Sequence, residues 1–306
     1  MKNKKQILIG GPKMENSKID SKTKKHLLNF QKAELTEHMI YKRLADSTKD
    51  TKNKKVLESI ANEELKHHDF WKSYTNEDVK PNYIKVLFYF ILSKILGLTF
   101  SLKLMENGEE RAQISYEDIS SVVPEAKQIE EEEDKHEREL LGMIEEERLN
   151  YVGSIVLGLN DALVELTGAL AGLTFALQNG IIIATSGLIT GIAASLSMAA
   201  SEYLSKRAEN DERALKSAAY TGIAYIITVF FLILPYLLMP NNYFLSLIIT
   251  LLTAVIIILI FNFYISVAKD LSFKSRFLEM AGISLGVAGL TFFIGFLVRI
   301  TLGVSI

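Results

Sequence analysis

The chain has 306 residues, 34 Lys+Arg against 36 Asp+Glu, a net charge of −2 and no cysteine. Balanced charge offers no concentrated basic surface for nucleic acid, and the missing thiols exclude disulfides, thiolate metal sites and cysteine catalysis. The averages conceal a division, because only sixteen charged residues follow Asn150 while all five histidines (His26, His38, His67, His68 and His136) precede it. A polar, His-bearing domain is therefore expected ahead of an apolar one.

Residues 1–22 read as a flexible, Lys-rich tail without periodicity. From there to residue 150 the apolar spacing is helical and nowhere alternates as a strand would, so the expected class is all-α. Four helices are predicted, over about 23–48, 51–75, 82–114 and 124–150, with Pro81 placed to open the third. The third contains an apolar stretch over 83–104 that resembles a membrane span. Lys85, Lys94 and Lys103 interrupt it, and a crossing there would separate the first two helices from the fourth. It is read as a bundle helix whose outer face packs on the membrane, on the transmembrane domain or on a second copy.

Five segments after residue 150 are long and apolar enough to span a bilayer, about 151–177, 181–204, 217–239, 243–268 and 280–304. The connections 205–216 and 269–277 hold seven of the eight basic residues of this half, whereas 178–186 and 239–243 hold no charge. With an odd number of spans both charged connections face the side of the N-terminal domain. The positive-inside rule then puts that domain in the cytosol and the C-terminus on the opposite side.

Metal-binding residue types recur at helical spacing in the first half. Glu34 and Glu37 fall in the first helix, Glu64 and His67 in the second, Glu106 and Glu109 in the third, and Glu133 and His136 in the fourth. Residues three apart share a helix face. Two Glu-bearing helices alternating with two Glu-x-x-His helices supply the ligand set of ferritin-like di-iron bundles. The spacing leaves open whether Glu34 or Glu37, and Glu63 or Glu64, enters that set. The expected cofactor is a pair of iron ions, with Mn or Zn as substitutes. In the apolar half Asp161 and Glu165 lie one turn apart inside the first span. Charge at that depth costs about 2.5–3.5 kcal/mol and marks a polar path. Met198 and Glu202 repeat the spacing in the second span, and Glu279 with Met280 opens the fifth. Carboxylates beside thioethers suit a divalent transition metal. Small residues at intervals of four (Gly168/Gly172, Gly187/Gly191/Ser195/Ala199, Gly282/Gly286) point to tight helix packing or a dimer seam.

Two resemblances converge on these residues. Residues 25–150 resemble the ferritin-like, rubrerythrin-related (erythrin) domain. Residues 151–306, with the blocks LNDALVELTGALAGLT and SLSMAASEYLS, resemble the vacuolar iron transporter family. Together they are similar to the fused, membrane-bound ferritin type. The resemblance implies a homodimer that moves Fe²⁺, with Mn²⁺ as alternative cargo, out of the cytosol against protons. It implies a path between the first and second spans of two protomers, with Asp161 and Met198 in it. It also implies di-iron ligation by Glu34, Glu64, His67, Glu106, Glu109, Glu133 and His136. Thr190 stands where plant-type members carry a carboxylate, and Glu165 and Glu202 are the candidates for its role. The expected partners are thus a lipid bilayer, divalent metal ions, protons and a second copy. A different expectation is a membrane-anchored ferroxidase or peroxidase whose spans serve mainly as anchor, with Tyr41 assisting the redox step.

Overall fold

A computed structural model describes residues 20–110, 123, 126 and 150–302, with backbone alone for 107–110 and 302. Among the described residues there are helices and no strand. The chain divides into two compact units, Met1–Glu146 and Glu147–Ile306.

The first unit opens with α1 (Ser21–Ser47) and α2 (Thr51–Thr75). Each starts on an aspartate that closes a free backbone donor of the first turn. Asp20 accepts from Thr23 N at 2.8 Å and Asp50 from Asn53 N at 2.7 Å. The loop between them is too short for anything but antiparallel neighbours. Their cross-links agree, since Gln31 meets Thr75, Glu34 meets Trp71 and His38 meets Ala61. Ile40, Tyr41, Leu44, Leu57 and Ile60 fill the seam, joined by Val86, Tyr89, Leu102 and Met105 from further along the chain.

The third predicted helix, 82–114, is not continuous. It breaks into α3 (Tyr83–Leu96) and α4 (Leu98–Glu110). Gly97 between them has φ 101° and ψ 159°, a region open essentially to glycine alone. Twelve residues of unbroken helix would separate Tyr89 from Ser101 by about 18 Å. Instead, buried Ser101 Oγ donates to Tyr89 O at 2.9 Å, so the chain turns back on itself at Gly97. At 14 residues α3 is also too short to cross a bilayer. The predicted fourth helix lies outside the described residues, apart from Ala126 and Asn150.

The second unit consists of α5 (Val152–Leu177), α6 (Gly180–Ala208), α7 (Ala214–Leu238), α8 (Tyr243–Lys269) and α9 (Phe273–Leu302). All five are long and apolar enough to cross a membrane, which makes this a multi-pass integral membrane protein. Helix α5 is central and packs on the other four. Close approach depends on glycine at two points. A Cβ on Gly158 would sit 2.2 Å from Thr221 O of α7, and one on Gly295 of α9 would sit 2.3 Å from Gly172 O. Hydroxyls then cross-link the helices where no water competes. Thr221 Oγ1 donates to Ser154 O at 3.0 Å, Ser284 Oγ to Leu163 O at 3.0 Å and Thr291 Oγ1 to Gly168 O at 2.6 Å. Gly168, Gly172, Gly187 and Gly191 thus belong to contacts within the unit, whereas Gly282 and Gly286 face open space.

Candidate metal sites

The antiparallel pairing of α1 and α2 decides which carboxylates of the first unit meet. Glu34 comes from α1, Glu64 and His67 from α2, and one ligand atom from each lies within 4.8 Å of the other two. Both carboxylates are 3% exposed. Glu64 and His67 share a face one turn apart, with His67 Nδ1 3.8 Å from Glu64 Oε2. One further turn along that face, Trp71 Nε1 donates to Glu34 Oε1 at 3.1 Å and fixes that carboxylate from the opposite helix. Fully buried Trp71 is in turn held by Phe30 and Phe70, at ring separations of 5.5 and 5.0 Å. Two carboxylate oxygens and an imidazole nitrogen suit Fe²⁺, Mn²⁺ or Zn²⁺. The donor set therefore fits the metals the sequence suggests.

The other predicted ligands stand differently. Glu37 is buried, with Lys85 Nζ 3.7 Å from its Oε1, and lies outside the triad. Glu63 is half-buried, and Glu106 is half-buried on α4; neither joins the triad. The side chain of Glu109, and Glu133 and His136 altogether, lie outside the described residues. Buried Tyr41 packs in the apolar seam between α1 and α2.

In the second unit carboxylates lie on or against α5. Near its start Ser154 Oγ donates to Glu202 Oε1 of α6 at 2.7 Å, and both residues are buried. Asp161, half-buried, follows seven residues on, about 10 Å along the axis. Glu165 comes one turn later and accepts from Tyr225 Oη of α7 at 2.8 Å. Met198 is half-buried and Met280 buried, and both pack on the unit's main apolar cluster. Glu279 is exposed. The compact triad of the first unit has no counterpart among the described residues of the second. Its acidic groups are spread over α5 (Asp161, Glu165), α6 (Glu202) and α9 (Glu279) rather than gathered in a closed cage.

Residues 152–214 match the VIT family. This VIT-family segment covers α5, α6 and the loop after them, and it holds Asp161, Glu165, Met198 and Glu202; Glu279 and Met280 lie beyond it. No curated protein matches the chain.

Three polar partners escaped the sequence reading: Trp71, Ser154 and Tyr225. Trp71 carries a detectable signal, since it follows Glu64 by seven residues and His67 by four on one face. Ser154 and Tyr225 reach their carboxylates from other helices, and no spacing within one helix reveals that.

Proposed function

We propose that the chain is a membrane transporter that carries a divalent transition metal, Fe²⁺ first and Mn²⁺ second, out of the cytosol in exchange for protons. One observation carries the reading. The VIT-family match, which implies membrane metal transport, falls on the helices that hold the buried or hydrogen-bonded carboxylates. Acidic groups inside apolar helices are costly and mark ion or proton paths. Asp161 and Glu165 offer oxygen ligands about 6 Å apart along the rise of α5, and Ser154, which holds Glu202, stands about 10 Å before Asp161 on the same helix. Exposed Glu279 serves as an entry carboxylate and Met198 as a soft neighbour to the cargo. The reading takes the working unit as a homodimer with the path between α5 and α6 of the two protomers.

The first unit is proposed as a ferritin-like domain that captures metal on Glu34, Glu64 and His67. Glu106, Glu109, Glu133 and His136 complete a second position. Burial of the triad supports this role, because two carboxylates at 3% exposure are retained where a cation compensates them.

The triad also favours a second reading, in which the first unit oxidises Fe²⁺ and the spans only anchor it. Bound iron would supply the reduction of O₂ or peroxide, while the three residues hold and orient the metal. Proteoliposomes with an internal pH reporter separate the two. Under the transport reading, Fe²⁺ flux accompanies proton movement and falls to background in Asp161→Asn, while Glu64→Ala weakens capture but keeps flux at saturating metal. Flux unchanged in Asp161→Asn would falsify the proposed path. Absent flux with Fe²⁺ oxidation lost in Glu64→Ala would establish the anchored oxidase instead.

A further inference from the structure

Helix α3 is the one element of the described first unit that exposes a continuous apolar face. Apart from Leu65, every large hydrophobic side chain exposed there lies on it: Tyr83, Ile84, Leu87, Phe88, Ile91 and Ile95. Ile84 is 82% exposed and Ile95 67%. At 100° per residue, Leu87, Ile91, Ile84, Ile95 and Phe88 fall in one arc about 100° wide. The opposite side carries Val86 and Tyr89, which are buried in the core. Lys85 and Lys94 lie on the two borders of the arc, roughly 80–100° to either side of its Ile84 line. Helix α3 contains no acidic residue.

We infer that this face lies in the interface of the bilayer that the chain itself spans, with the apolar arc among acyl-chain ends and the two lysines at anionic headgroups. Length is the first argument. Fourteen residues make about 21 Å of helix, short of the roughly 30 Å that spanning needs, so an apolar face of this size has to lie flat or be covered. Charge is the second. An apolar arc bordered by lysines is the arrangement of helices that lie in the headgroup region, where the ammonium groups snorkel outward. Lys94 is exposed and available for this, with its ammonium 3.2 Å from Ser47 O, whereas Lys85 pairs with Glu37 at 3.7 Å and keeps 33% of its side chain exposed. A second copy is disfavoured by the same charges. Two-fold antiparallel pairing of α3 about its midpoint would set Lys85 against Lys94 of the partner, and Glu37, 3.7 Å from Lys85, is the one carboxylate shown beside that pair among the described residues. Tethering is the third. The candidate spans begin at Val152, so this unit is covalently joined to a membrane-spanning one and a weak interfacial affinity suffices. The inference uses membrane anchoring alone and is independent of what the chain transports.

The chain has no cysteine, so single nitroxide labels are placed without a background to remove. The full-length protein, metal-free, is labelled at Ile84→Cys, Ile91→Cys or Ile95→Cys. Glu58→Cys and Lys66→Cys, exposed on α2, serve as controls. Each variant is studied in nanodiscs of phosphatidylcholine with phosphatidylglycerol. Collision of the label with O₂ is compared with its collision with a water-soluble nickel chelate. The three arc labels are expected to favour O₂ over nickel several-fold more than the controls do. Lys94→Glu in the Ile91→Cys background is expected to abolish the increase in that ratio that phosphatidylglycerol produces. Arc labels as accessible to nickel as the controls overturn the inference. Arc labels shielded from both reagents, with spectral broadening that vanishes on dilution with unlabelled protein, overturn it in favour of a second copy.

Discussion

Trp71 is the residue on which the geometry of the first-unit triad turns. Its indole N–H holds Glu34 Oε1 at 3.1 Å, from the same helix face that presents Glu64 and His67. Partners of this kind orient a ligand, and losing one typically costs 10–100-fold in metal affinity. Trp71→Phe is therefore expected to weaken Co²⁺ binding to the full-length protein about 10–100-fold, read from the metal's visible absorption. Glu64→Ala, which deletes a ligand, should cost more. Equal affinity in wild type and Trp71→Phe would remove the tryptophan from the site. In the second unit Tyr225→Phe strips Glu165 of a buried donor. Glu165 itself is exposed, so the loss is that of one hydrogen bond to a charged group, about 1.5–3 kcal/mol. Metal flux in proteoliposomes is expected to fall roughly tenfold, consistent with about 1.4 kcal/mol, with Asp161→Asn the more severe of the two. The pairing of Glu64 with His67 was legible because both sit on one helix. That Glu34 rather than Glu37 lies beside Glu64 and His67 follows from the register of α1 against α2, which helical spacing does not contain. Glu37 meets Lys85 instead, a residue 48 positions away.

At the scale of elements, the all-α character and the five apolar helices follow from periodicity and length alone, and there the sequence was sufficient. The break at Gly97 was not legible for a physical reason. Apolar residues continue at helical spacing on both sides of it, and glycine inside a helical pattern reads as a modest cost rather than a stop. What stops the helix is a backbone conformation that only tertiary contacts select, namely the return of α4 that lets Ser101 reach Tyr89. Gly97→Ala forces a side chain into that region at about 1–3 kcal/mol. It is expected to lower the thermal midpoint of the first unit, followed by hydrogen exchange of α3 and α4 amides in the full-length protein. Unchanged protection would mean that the turn tolerates a Cβ. Gly158→Ala makes the corresponding test in the membrane unit. Its Cβ would meet the backbone oxygen of Thr221 at 2.2 Å, and a backbone atom cannot rotate away. Separation of α5 from α7 would break the Thr221–Ser154 bond and disturb the serine that supports Glu202. Less folded protein after detergent extraction is the expected outcome.

At the scale of the molecule, the direction of the proposed transport would depend on which side of the membrane the two charged connections face. The loop between α6 and α7 is exposed and held by Arg213, whose guanidinium bonds Asp211 at 3.0 and 3.1 Å. Those contacts keep the Asp211 carboxyl below its ordinary range. The tip between α7 and α8, with exposed Asn241, carries no charge. Five spans put residues before α5 on the side of Asp211 and opposite to Asn241, and the lysines and arginines of the two basic connections favour the cytosol for that side. The absence of cysteine again allows a clean measurement. With a membrane-impermeant maleimide, Asn241→Cys should react in intact cells. Glu212→Cys and Glu77→Cys should react only after the membrane is opened. Glu77 samples the first unit and Glu212 the loop, so agreement between them tests the parity of the spans, and their common side tests the orientation. Labelling of Glu212→Cys in intact cells would invert the molecule. The first unit would then lie outside the cytosol, and a metal captured on Glu34, Glu64 and His67 would be one on its way in.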